Sequence, residues 1–206
     1  MSKVIAFAGV PGCGKTTTAL ELAKLLDAKV MVEPEEDQWP KLIQHREISG
    51  YFSALTWFRS ARISNYFDAD QLRRKDKLAI IDSYYDVLAS CYLGKKPFDW
   101  LINKDDPYFN IALDMAKLDW SLLPKADILI FLHLDQNIWE LFMKKRNRKF
   151  DASANLLEIV GMQEEIEMAC KYAEMEHNSK LVYCRPENDS PAETAIRLVE
   201  SLKQYL

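Results

Sequence analysis

An α/β fold, with a five-stranded parallel sheet layered between helices, is what the sequence predicts. Three observations predict it. Short apolar runs alternate with stretches of helical periodicity along the whole chain. Turn-forming residues separate them. A glycine-rich stretch, Gly9 to Thr16, stands at the first change from strand to helix. Strands that alternate with helices pair in parallel and are covered on both faces.

The elements follow in order. Lys3 to Ala8 is an apolar run stopped by Gly9 and reads as a buried first strand. Lys15 to Leu26 carries Ala19, Leu20, Leu22, Ala23, Leu25 and Leu26 at helical spacing. Lys29 to Val32 is a second strand, closed by Glu33-Pro34, since proline cannot donate to a ladder. Pro40 to Gly50 fits neither period. Ala54 to about Ala69 is a long helix rich in aromatics, and Lys77 to Ile81 is the third strand. Tyr85 to Leu93 is expected to be helical, Gly94 to Pro107 a loop, and Tyr108 to Trp120 helical. Asp127 to Leu134 is the clearest buried strand. Helices are expected at Asn137 to Lys145 and Leu156 to Ala173. Lys180 to Cys184 is the fifth strand, and Pro191 to Tyr205 a closing helix. No repeat or low-complexity linker divides the 206 residues, so one domain over 1–206 is expected.

Bulk composition narrows the function classes. The net charge of -4 gives no basic field to draw in nucleic acid or an anionic membrane. The longest apolar run, Ile128 to Leu132, is too short to span a bilayer, and the N-terminal residues lack the layout of a signal peptide. Cys13, Cys91, Cys170 and Cys184 form no CxxC pair, so reduced thiols in a cytoplasmic setting are expected.

Gly9-Val10-Pro11-Gly12-Cys13-Gly14-Lys15-Thr16 has the pattern GxxxxGK[ST] between a strand and a helix. Glycines let the backbone wrap closely, so that successive N–H groups face one anionic centre at a helix N-terminus. Such a loop binds a triphosphate, here expected to be ATP with Mg2+. Lys15 reaches the outer phosphates, the Thr16 hydroxyl ligates the metal, and Thr17 supports the inner phosphate.

Two acids end strands. Ligands of an open parallel sheet lie at the carboxyl ends of its strands, where Glu33 and Asp82 follow strands two and three. If both strands neighbour the first, one carboxylate can accept a proton from an attacking hydroxyl, and the other can hold the metal. Glu33 is the candidate base and Asp82 the candidate ligand. The plainer alternatives are a solvated acidic run for Glu33 and a helix N-cap for Asp82.

Trp57, Phe58, Arg59 and Arg62 form an aromatic and cationic cluster. Phe58 and Arg62 share a helix face four residues apart, a ring and a guanidinium suited to a nucleobase pocket; core packing and a surface ion pair are the alternative. Lys144 to Lys149 puts five cations in six residues. Arg146 and Arg148 are the candidates to close over a transferring phosphoryl group, because a guanidinium grips two oxygens at once; a solvated helix end is the alternative.

Taken in order, these residues resemble the deoxynucleoside kinase and thymidylate kinase group of P-loop kinases. The resemblance runs through Gly9 to Thr16, Glu33-Pro34, Phe58 to Arg62, Asp82-Ser83-Tyr84, the strand near Asp135 and the basic stretch. It implies a P-loop NTPase three-layer sandwich, nucleoside/nucleotide kinase-like, with a short basic lid at about 144–155. It implies a phosphotransferase using ATP and Mg2+, a small nucleoside or nucleotide acceptor, and a possible homodimer. Glu33-Pro34 followed by Trp39-Pro40 looks like the deoxynucleoside kinases, where the glutamate serves the sugar 5′-hydroxyl. Phe58 to Arg62, and Asp82-Ser83-Tyr84 with the later Tyr92-Leu93-Gly94, look more like thymidylate kinases. The chain departs from both at Ser83, where an arginine is usual. Arg59 stands where deoxynucleoside kinases place a base-reading glutamine, and Val32 where thymidylate kinases carry an arginine, which favours a nucleoside acceptor. The alternatives are a monophosphate or small-metabolite kinase, and a nucleotide-binding protein without transfer activity.

Overall fold

The computed structural model describes residues 2–146, 156–187 and 189–206. Five strands form one sheet: β1 (Val4–Ala8), β2 (Lys29–Met31), β3 (Ala79–Ile81), β4 (Ile128–Leu132) and β5 (Lys180–Cys184). Their order across the sheet is β2-β3-β1-β4-β5, and every pair is parallel. All five residues of β1 and of β4 are buried. Successive side chains point to opposite faces, so burial at every position means that both faces are covered.

The helices were largely written in the spacing. α1 (Lys15–Leu26) buries Thr18, Ala19, Leu22 and Ala23 along one stripe and stops at Asp27, which adopts a left-handed φ of 50°. Two short helices, α2 (Lys41–Gln44) and α3 (Arg46–Ser49), occupy the segment that fits neither period. Gly50, at φ 91°, turns the chain into α4 (Tyr51–Arg74), which is longer than the aromatic run suggests. Then come α5 (Phe109–Leu122), α6 (Gln136–Arg146), α7 (Leu156–Gly161), α8 (Gln163–His177) and α9 (Pro191–Leu202). Ser190 caps α9 in a reciprocal box with Glu193, with Pro191 at its first position. α9 packs along α1.

The expected helix from Tyr85 to Leu93 is present over residues 86–92, and its last five residues, Leu88–Tyr92, form a wider π-helical turn on which α5 and α8 pack. That turn lets the buried Tyr92 ring stack on Phe98 at 4.0 Å and its hydroxyl reach the Gly9 carbonyl at 3.4 Å. The expected helix from Leu156 to Ala173 breaks between α7 and α8, where Gln163 turns inward to exchange two 2.8 Å hydrogen bonds with the Leu134 backbone. Much of the expected lid, including Arg148, lies outside the described residues; Arg146 closes α6. All four cysteines are free and buried, and no described helix is long and apolar enough to cross a membrane.

Candidate active site

One cavity of about 900 Å³ opens at the carboxyl ends of the strands. The loop between β1 and α1 forms one wall. Pro11, Gly12, Gly14, Lys15, Thr16 and Thr17 line it, while Val10 and Cys13 are buried beneath. Gly12 and Gly14 take φ values of 78° and 87°, the left-handed region that a side chain disfavours. Lys15 Nζ donates to the carbonyls of Gly9 and Val10, at 2.9 Å each, which sets the ammonium over the loop. The Thr17 hydroxyl donates to the Gly14 carbonyl at 3.0 Å.

A chain of contacts leads away from the loop. Thr16 Oγ1 donates to Asp82 Oδ2 at 2.8 Å. The Glu33 backbone N–H donates to the same carboxylate, at 3.2 and 3.3 Å to its two oxygens. The Glu33 side chain pairs with the Arg62 guanidinium. Of the two acid-bearing strands only β3 neighbours β1, so the premise that both flank the first strand is corrected. β2 lies one strand further out. Glu33 nevertheless reaches the site because the chain leaving β2 folds over the end of β3 and is tied there by Asp82. Asp82 begins no helix; its carboxylate is fully engaged by Thr16 and Glu33, which replaces the N-cap alternative.

The two carboxylates are driven apart. Burial pushes the Asp82 carboxyl up to about 6 from its usual 3.8, and the Glu33 charge adds to the push against the opposing Thr16 hydroxyl, Glu33 N–H and Lys15. Burial would raise Glu33 too. There, however, the charge and hydrogen bond of Arg62, with the Ser83 hydroxyl and Lys15, outweigh burial and hold the carboxyl below its usual range. Glu33 is thus the ionised member. Arg62 keeps its proton because Glu33 more than offsets the cost of burial.

Asp82 takes up a proton more readily folded than unfolded. The folded chain therefore binds more protons between pH 3.8 and about 6, and this contribution to stability is lost as pH rises through that window. Asp82→Asn should accordingly stabilise the chain by about 1–3 kcal/mol at pH 7.5 and by little at pH 3.5. Thermal melting at the two pH values checks this; an equal shift at both would contradict it.

Hydroxyl and carboxylate oxygens are the hard donors that magnesium takes, alongside waters and phosphate oxygens. Thr16 and Asp82 fit that role, since a cation between them would also relieve the charge that burial makes costly at Asp82.

Beyond Arg62 the cavity becomes apolar. Phe58 lines it one turn before Arg62, with Trp39, Leu55, Leu88, Tyr92, Phe98, Trp100 and Leu101. Trp39 meets Phe58 edge-on at 5.1 Å, and its indole N–H is taken by the Pro34 carbonyl at 3.0 Å. Trp57 packs on the outside of Phe58 at 5.0 Å and does not line the cavity. Arg59 does not line it either. Its guanidinium makes a two-pronged pair with Asp119 of α5, at 2.5 and 2.6 Å, and the Tyr85 hydroxyl joins them at 2.8 Å. Both Trp57 and Arg59 thus stand apart from the acceptor region in which the sequence pattern grouped them. Asp119→Asn should cost about 2 kcal/mol in urea unfolding, because it leaves a partly buried guanidinium half-paired.

Several lining residues escape sequence reasoning. Phe98, Trp100 and Leu101 sit in the stretch Gly94 to Pro107 that reads as a loop. Lys145, which precedes the two guanidinium candidates Arg146 and Arg148 in the basic stretch, lines the cavity from α6. Ser190, Pro191 and Glu193 line the cavity near α9, beside Asp189 of the loop after β5, which the family resemblance places near the adenine.

No protein-family model matches the sequence, and no curated protein matches it. Solved structures do match. A deoxyadenosine kinase from M. mycoides with bound dCTP superposes with a TM-score of 0.68 at 21% identity, covering 98% of this chain and 100% of that one. The same enzyme with bound dATP gives 0.69 at 21% identity, over 97% of each chain. A thymidylate kinase from Candida albicans gives 0.65 at 20% identity, over 99% of this chain and 92% of that one. The chain has the α/β fold of the P-loop nucleoside and nucleotide kinases.

Proposed function

We propose that the chain is a phosphotransferase that moves the γ-phosphoryl group of ATP to the 5′-hydroxyl of a deoxynucleoside. The observation that carries this reading is the Glu33–Arg62 pair at the junction of the phosphate loop and the aromatic pocket. An ionised carboxylate held in place there can take the proton of an attacking hydroxyl. Because Arg62 is already neutralised by Glu33, the pair offers no free cation to a phosphate-bearing acceptor. A neutral nucleoside fits it better than a monophosphate, and Ser83, a neutral hydroxyl, points the same way.

In this reading the loop N–H groups and Lys15 hold the triphosphate. Thr16 and Asp82 hold Mg2+, which would neutralise charge on the phosphate oxygens when bound. Glu33 orients and deprotonates the hydroxyl, and Phe58 and the pocket aromatics stack the base. Lys145, with Arg146 and Arg148 from the basic stretch, supplies cations over the transferring group. Such positioning and charge stabilisation account for most catalysis of phosphoryl transfer.

The test is an ADP-release assay across deoxynucleosides, ribonucleosides and their monophosphates. Turnover with deoxynucleosides is expected. Turnover with monophosphates alone would overturn the acceptor assignment in favour of a thymidylate-kinase-like reading. Tight ATP binding without turnover on any acceptor would favour a nucleotide-binding protein that transfers nothing.

A further inference from the structure

α6 does more than lead into the basic stretch. Trp139, Phe142 and Met143 lie three and four residues apart and share the helix face turned to the phosphate loop. A Cβ added at Gly12 would come within 2.1 Å of Met143 Sδ, and one at Gly14 within 3.6 Å of the Phe142 ring. Trp139 is the largest fully buried side chain among the described residues, 1% exposed. A buried indole N–H needs an acceptor. Its partner is the Pro11 carbonyl, 2.7 Å away.

That bond has a consequence for the neighbouring amide. The described chain has no cis peptide bond. In a trans peptide the carbonyl of one residue and the N–H of the next lie in one plane and point opposite ways. With the Pro11 carbonyl aimed at α6, the Gly12 N–H is turned away from α6. Among the described residues this N–H makes no hydrogen bond. Gly12 itself cannot fix the plane, because glycine accepts either sign of φ at little cost. Other parts of the loop are secured differently: the Cys13 N–H bonds the Val10 carbonyl at 3.3 Å, and the Gly14 carbonyl accepts from the Thr18 N–H of α1 at 2.9 Å. The Pro11–Gly12 peptide has Trp139.

We propose that Trp139 is a positioning residue of the phosphate loop: its indole N–H fixes the Pro11–Gly12 peptide so that the Gly12 N–H is presented to the phosphates of a bound nucleotide. The inference rests on the loop's triphosphate reading but not on the identity of the acceptor. A flipped peptide would present a carbonyl oxygen to an anion instead, so losing the indole donor weakens phosphate binding specifically.

Trp139→Phe keeps an aromatic ring in the site and removes the donor. Calorimetry on the full chain should show the Kd of ATP rising about tenfold, and the Kd of inorganic tripolyphosphate, which has no base or sugar, rising by the same factor. Trp120→Phe, the same change on α5, should leave both within twofold. A folded Trp139→Phe with both values within twofold of wild type overturns the proposal. So does an effect on ATP that tripolyphosphate does not share. If Trp139→Phe does not fold, amide spectra of the 15N-labelled wild type decide. The Trp139 indole proton should exchange slowly with solvent and the Gly12 amide resonance should move on adding tripolyphosphate; a freely exchanging indole or an unmoved Gly12 amide overturns the proposal. A wild type that binds neither probe overturns it together with the loop reading. A wild type that binds both but phosphorylates no nucleoside overturns only the transfer proposed above.

Discussion

Lys15→Ala is expected to lower kcat/KM for ATP by at least about a thousandfold. Lys15 Nζ is held by two neutral carbonyls, those of Gly9 and Val10. A phosphate oxygen is the stronger partner for an ammonium, since a charge-assisted bond is roughly twice as strong as one to a neutral acceptor. The lysine can therefore shift to the nucleotide without leaving the loop. In the proposed transfer, negative charge builds where that ammonium points as the γ-phosphoryl group departs, and loss of one aimed donor in such a site costs on the order of 100- to 1,000-fold. Weaker ground-state binding of the triphosphate adds to it. Lys15→Arg should recover little, because a planar fork does not fit where a compact ammonium bridges two adjacent carbonyls. Steady-state rates with an ATP titration check this, and a loss below tenfold would contradict it. The fold should survive, as the remainder of α1 and the sheet are packed independently of this side chain.

What the sequence made legible is what local spacing governs. The bounds of α1 follow from Gly14 before it and from its stripe of Ala19, Leu22 and Ala23. β4 follows from an unbroken apolar run that only a doubly covered strand can bury. Phe58 and Arg62 reach one cavity because four residues make about one helical turn. What local spacing does not govern is set by distant partners. Arg59 is one residue and about 100° round the helix from Phe58. Its partner is Asp119, 60 residues later, which no local pattern announces. The sheet order that separates β2 from β1 is likewise a matter of long-range pairing. Phe98 and Trp100 were hidden because irregular backbone carries no period to mark which side chains face inward. Residue type points to chemistry along the chain, and tertiary pairing decides which of those residues meet.

Glu33→Gln is expected to reduce kcat on the order of a thousandfold while leaving the Kd of ATP within about threefold, since general acid–base catalysis contributes roughly 100- to 10,000-fold. The change is close to isosteric and removes the charge that takes the proton. ATP contacts should persist, because Glu33 touches Asp82 through its backbone N–H, which the substitution keeps. The pair with Arg62 also predicts the shape of the pH profile. Arg62 and its neighbours hold the Glu33 carboxyl below its usual range. Glu33 is then fully ionised throughout the neutral range, and the wild-type rate should show no ascending limb from this group between pH 6 and 8. Arg62→Met separates the two roles. Without the guanidinium, burial dominates and the Glu33 carboxyl rises, so an ascending limb should enter the profile toward neutral pH. If Glu33 only anchored Arg62, Glu33→Gln would raise the acceptor KM and spare kcat, and Arg62→Met would leave the profile flat. A fall in kcat with Glu33→Gln, joined to a new pH limb with Arg62→Met, is the pattern that a proton-accepting carboxylate tuned by its arginine requires.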